Sequence, residues 1–99
     1  MQGIVWKIHS QDDKLLIAMC DEAVLDKHLK LENLDVWVNP RFFNGSLFNA
    51  EEFEKLLPKV FSINAFGERA VKFLIDKGLV DPSQIRVIDN VPHAIIVLF

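Results

Sequence analysis

Residues 62–78 read SINAFGERAVKFLIDKG, and the division of the chain turns on them. Ile63, Phe66, Ala70, Phe73 and Leu74 fall at offsets of 0, 3, 7, 10 and 11, one stripe of a 3.6-residue period. Asn64, Glu68, Lys72 and Asp76 occupy another side, where Glu68 and Lys72 form a favourable i,i+4 pair. Gly78 then suits a left-handed residue just past a helix end. The spacing predicts a helix from about Ile63 to Lys77. Gly67 is the odd member, because glycine inside a helix costs roughly 1 kcal/mol relative to alanine. Such a glycine marks close packing or the approach of a ligand or another backbone.

Strands are expected on both sides of this helix. Upstream, Ile4, Trp6 and Ile8 alternate with Val5, Lys7 and His9, a period of two that reads as a half-buried strand. After the polar turn Ser10-Gln11-Asp12-Asp13, the run Leu15-Leu16-Ile17-Ala18-Met19 suits a strand covered on both faces. The two form an N-terminal β-hairpin. Asp21 resembles the N-cap of a short helix, Glu22 to about Lys27. Residues 28–33 read as loop, and Leu34 to Val38 as a third strand. Asn44-Gly45 is the favoured type I′ pair, so residues 42–48 read as a small hairpin. Asn49 with Glu52 makes a capping-box-like start to a helix over about 50–57, and Pro58 can open a further helical segment. Downstream, Asp81-Pro82-Ser83-Gln84 is a turn. Residues 85–89 and 93–98 form a C-terminal β-hairpin joined through Asn90-Val91-Pro92. The apolar run Ala94 to Phe99 belongs inside the sheet or under a partner. The order gives an α+β fold: one domain over residues 1–99, with helices on a mainly antiparallel or mixed sheet.

Ninety-nine residues leave no room for a second catalytic lobe. Hydrophobic residues at 51% and charged residues at 25% are ordinary for a globular domain and exclude a disordered linker. The single cysteine, Cys20, excludes an intrachain disulfide framework and a zinc site built on cysteine pairs. A net charge of −3 argues against broad, charge-driven nucleic-acid binding. No secretory h-region is present, and the longest apolar run is far short of the roughly 20 residues a membrane span needs. A soluble cytoplasmic protein is expected, without membrane association or cofactor.

Few residues carry chemistry by their spacing. His9, His28 and His93 lie far apart and show no metal-ligand pattern, so no metal site is expected. Cys20 precedes Asp21 and Glu22, whose charges disfavour a thiolate, which fits a buried structural residue. Asn64, Glu68 and Arg69 around Gly67 can bind a polar ligand, while no phosphate-loop motif occurs. Lys27, His28 and Lys30, with Arg41-Phe42-Phe43, offer a local basic and aromatic patch of the kind that holds RNA.

The pieces Asn64-x-x-Gly67-Glu68-Arg69-Ala70, Gly78-Leu79-Val80-Asp81 and Val91-Pro92-His93-Ala94, together with Met19-Cys20-Asp21-Glu22 and Phe43-Asn44-Gly45, are familiar. With them the chain resembles, over nearly its whole length, the archaeal family known as domain of unknown function 424. The resemblance implies a compact α+β archaeal cytoplasmic protein and brings no activity with it. The family motif residues map onto Asn64, Gly67, Glu68, Arg69, Pro92 and His93.

The leading expectation is a non-enzymatic binding module acting through Asn64, Gly67, Glu68, Arg69 and His93. Its partner would be RNA or a protein of the translation or RNA-processing machinery. The competing expectation is a small enzyme with His93 as general acid or base, oriented by Glu68 or Asp21, in a pocket between subunits. A homo-oligomer through the C-terminal strand and Phe42-Phe43 is compatible with either.

Overall fold

In the computed structural model, which describes residues 3–98, the first hairpin turns on Asp12 and Asp13. Their φ values of 50° and 65° are the left-handed pair that matches the twist of two adjoining strands. They join β1 (Ile4–Gln11) to β2 (Lys14–Asp21) in an unbroken antiparallel register from Ile4↔Asp21 to Gln11↔Lys14. Asp89 and Asn90, with φ of 51° and 67°, do the same for β7 (Arg86–Ile88) and β8 (Val91–Val97). Both terminal hairpins thus form. The second turn is shorter than Asn90-Val91-Pro92 suggests, starting one residue earlier and ending two earlier, so Val91 and Pro92 are strand.

The main departure from the sequence reading lies at residues 60–67. Here β6 (Val60–Phe66) is a strand, and the helix α3 is confined to Glu68–Asp76. Ile63 and Ala65 face one side of the sheet while Asn64 and Phe66 face the other, so the apolar positions satisfy a period of two as well as 3.6. Sheet pairing breaks the tie, since β6 bonds β2 in parallel on one edge and β8 antiparallel on the other. Gly67 makes the break. Its φ of 110° and ψ of 156° are a conformation open to glycine and few others, and they turn the chain from strand into helix.

Other differences are local. Residues 28–31 are a strand, β3 (His28–Leu31), paired antiparallel with β4 (Leu34–Trp37) as a separate two-stranded ribbon. The Asn44-Gly45 hairpin is not formed. Asn39 accepts the Arg41 amide at 2.9 Å and starts a single helical turn, α1 (Pro40–Phe43), with proline at its first position. Only β5 (Ser46–Leu47) then pairs, against β1. The turn after β2 is a short 3-10 helix, Glu22–Val24, with no side-chain cap from Asp21. As expected, Asn49 accepts the Glu52 amide at 2.9 Å and opens α2 (Ala50–Leu56), and Gly78 takes a φ of 73° after α3.

The six-stranded sheet has the order β5-β1-β2-β6-β8-β7, mixed because only β2 and β6 run parallel. This is the α+β architecture with a mixed sheet. On one face α2 and α3 cover Ile4, Trp6, Ile17, Met19, Ile63 and Ala65. Aromatic edges lock that layer: Trp6 meets Phe48 at 4.9 Å and Phe73 meets Phe53 at 5.2 Å between ring centroids. Each such pair adds about 0.5–1.5 kcal/mol beyond burial. On the other face the ribbon and α1 cover Val5, Ala18, Cys20, Phe66 and Ile88 with Leu29, Val38 and Phe43. The ribbon is tied to the last hairpin by the Lys30 amide, which donates to Asp89 Oδ2 at 3.1 Å. Pairing of β7 reaches only residues 91–93 of β8, and beyond it Ile95 and Val97 are exposed.

Candidate functional site

The registers of β6, β7 and β8 assemble a polar triad on the ribbon side of the sheet. Arg86 lies opposite His93 on one neighbour, Phe66 lies opposite it on the other, and Asn64 is two pairs further along, on the same face as Phe66. His93 is 4% exposed, its ring stacked on Phe66 with centroids 4.2 Å apart. Its Nδ1 is 3.4 Å from an Arg86 guanidinium nitrogen and its Nε2 is 3.1 Å from Asn64 Oδ1. A guanidinium can only donate, so Nδ1 accepts. The proton therefore sits on Nε2 and is donated to Asn64. Burial, and secondly the Arg86 charge, push the imidazole pKa down from 6.5 to about 4, in accord with this neutral tautomer.

A groove of about 500 Å³ opens over the triad. Asn64, His93 and Arg86 lie in its floor with Phe66, while Leu31 and Val36 of the ribbon, Trp37 and Phe42 form walls. Trp37 is held by a 2.7 Å bond from its indole N–H to Asp26 and by stacking on His28. Phe42 separates this groove from a second depression of about 440 Å³, where His9 stacks on Phe42 and donates from Nε2 to the Phe42 carbonyl at 2.8 Å.

The five candidate residues divide. Asn64 and His93 meet in the groove. Gly67 sits at the strand–helix junction, its amide donating to the Pro92 carbonyl at 2.9 Å. Glu68 and Arg69 are exposed at the start of α3 and do not line the groove. Asp21, weighed as an orienter of His93, accepts the Arg69 amide at 3.0 Å and the Ala70 amide at 2.8 Å instead. The histidines are dispersed: His9 is on Phe42, and His28 bonds Asp35 at 2.9 Å. Among the described residues no cluster of three histidine, cysteine or acidic side chains is placed to hold a metal. Cys20 is buried, and burial with the charges of Asp21 and Glu22 pushes its thiol up to about 12. Of the Phe42-Phe43 pair, Phe43 is core and Phe42 is wall.

Arg86 and Trp37 were missed as site residues. Asp89-Asn90, read as a two-residue turn, would have placed Arg86 across from His93. Nothing in the spacing of Trp37 indicates that it borders a groove.

Fold and site together define a small α+β protein whose mixed sheet carries a ribbon over a polar-floored groove. The chain belongs to the family described as protein of unknown function (DUF424), which matches residues 8–99. It is also similar to the crystal structure of an uncharacterized conserved protein from Methanopyrus kandleri, with a TM-score of 0.79 and 26% identity, covering 95% of this chain and 91% of that one. That archaeal source agrees with the lineage implied by the motif resemblance. No curated protein matches the chain. Among the described residues no helix is long and apolar enough to cross a membrane.

Proposed function

We propose that this chain is a non-enzymatic, single-domain binding module of the cytoplasm that engages RNA of the translation or RNA-processing machinery through the groove above Asn64, Arg86 and His93. The observation that supports it best is the pairing of aromatic walls with a hydrogen-bonding floor. Trp37 and Phe42 offer faces for stacking, worth about 1–3 kcal/mol per base, and the floor offers polar groups to a base edge. The overall charge of −3 fits recognition by stacking and hydrogen bonds more than by phosphate attraction. The binding reading is preferred to general acid–base catalysis because both ring nitrogens of His93 are engaged and neither Glu68 nor Asp21 reaches the ring.

Titration with short unstructured RNA, followed by tryptophan emission, tests this. Stacking on Trp37 quenches the signal, and Trp37→Phe removes the quench while leaving the Trp6 signal. Unchanged emission together with no co-migration of RNA would reject the RNA reading. Partners retained from lysate after RNase treatment would then put a protein in the groove.

A further inference from the structure

The hydrogen-bonding sense of the groove is uniform. Because His93 donates to Asn64 Oδ1, the Asn64 amide must turn its NH2 away from the histidine. Asn39, in the same lining, has its Oδ1 engaged by the Arg41 amide at 2.9 Å, which leaves its NH2 as well. Arg86 carries donors only. His93 has no ring nitrogen left to offer, and no carboxylate side chain lines the groove. With each amide oxygen already holding one hydrogen bond, the polar side chains present chiefly donors, between apolar and aromatic walls.

We infer that the groove takes an unpaired guanine of single-stranded RNA, its O6 and N7 facing Asn64 and Arg86 and its ring flanked by Trp37 and Phe42. The inference rests on the RNA reading above. Guanine alone among the bases offers two adjacent acceptors, O6 and N7, on one edge without an exocyclic amino group beside them. Adenine sets its N6 amino group beside N7, and cytosine sets its N4 amino group beside N3. Uracil places N3–H between its two carbonyls. Each of these turns a donor toward a donor, leaving a desolvated N–H without a partner. The volume lies within the range of about 300–1,000 Å³ common to small-ligand sites, so a base and its sugar fit.

Fluorescence anisotropy with uracil-rich octamers carrying one central variable base tests the assignment. Guanine should bind about tenfold or more tighter than adenine or uracil, in line with a good bidentate contact. Inosine, which keeps O6 and N7, should bind like guanine, and 7-deazaguanine should lose the advantage. Asn64→Asp keeps an acceptor for His93 and replaces the inward donor by an acceptor, so it should abolish the guanine preference in a protein that still melts cooperatively. Equal affinity for all octamers, or a preference for adenine, overturns the guanine assignment and leaves RNA binding standing. No binding by any octamer overturns both. The 7-deazaguanine arm uses the unaltered protein, so its result does not depend on a variant folding.

Discussion

The carboxylate of Asp21 fills the space that a side chain on Gly67 would need: a Cβ there would stand 2.4 Å from Asp21 Cγ and 2.6 Å from Oδ1. The two residues follow the last parallel pair of β2 and β6, Cys20↔Phe66, so the strands deliver them side by side. Gly67 begins α3 without a side chain to cap it. Asp21 supplies the missing acceptor from another strand, bonding the Arg69 and Ala70 amides and placing negative charge at the positive end of the helix.

Asp21→Ala should lower stability by about 1–3 kcal/mol, because buried amides at the start of α3 lose their partner. Gly67→Ala should also destabilise, since its φ of 110° is unfavourable for alanine and its Cβ overlaps Asp21. The double variant should lose less than the sum, as removing the carboxylate frees the space for the new methyl. Urea unfolding of the four proteins measures this coupling, and strict additivity would show that the two residues do not share a site.

Acid should destabilise the fold through His93. Its folded pKa of about 4 lies below the ordinary 6.5, so the unfolded chain binds more protons between those values. Stability is therefore fully present above pH 6.5 and is lost as pH falls toward 4, by up to about 3 kcal/mol. In His93→Gln the part of the slope over this window that His93 supplies should disappear in chemical denaturation series. A slope unchanged by the substitution would assign it to other groups.

Arg86→Gln should raise the His93 pKa and still leave it below 6.5. Burial is the larger cause of the depression and the Arg86 charge the smaller. Imidazole proton chemical shifts followed against pH read this directly. A value at or above 6.5 would mean that charge, not burial, holds the ring neutral.

Cys20 should resist thiol reagents at pH 8 in the native protein and react fully in denaturant. It is buried, and its pKa is pushed up to about 12, so almost no thiolate is present. Rapid labelling of the folded protein would contradict the packing around β2.

The terminal hairpins were legible because alternation and polar turns are local signals. So was α2, whose cap is local too. Residues 60–67 were not, because Ile63 and Phe66 fit one helical stripe with Ala70 and equally the two covered faces of a strand, and only pairing with β2 and β8 chooses between them. Gly67 did carry the warning, as a residue too costly for the helix interior. Of the ribbon, β4 was legible as the strand expected over Leu34 to Val38, whereas β3 was not, because exposed His28 and Lys30 leave only Leu29 and Leu31 as its apolar signature. In the site, Asn64 and His93 were both named as candidates but their contact was not readable from the sequence, and Arg86 depends on a turn that starts one residue and ends two residues before the one expected. Glu68 shared a face with Asn64 only under the assumption of one continuous helix, which ends where Gly67 separates β6 from α3.

The parallel pairing of β2 with β6 has a consequence for how the chain leaves the ribosome. Between them, residues 22–59 build the ribbon and α1 on one face, pair along the outer edge of β1 through β5, and cross to the other face as α2. The N-terminal hairpin is thus encircled by the segment that follows it. During synthesis it waits, with Ile17 and Met19 uncovered, until that whole loop and β6 have emerged. Such non-local closure slows folding and makes the nascent hairpin a natural client for chaperones.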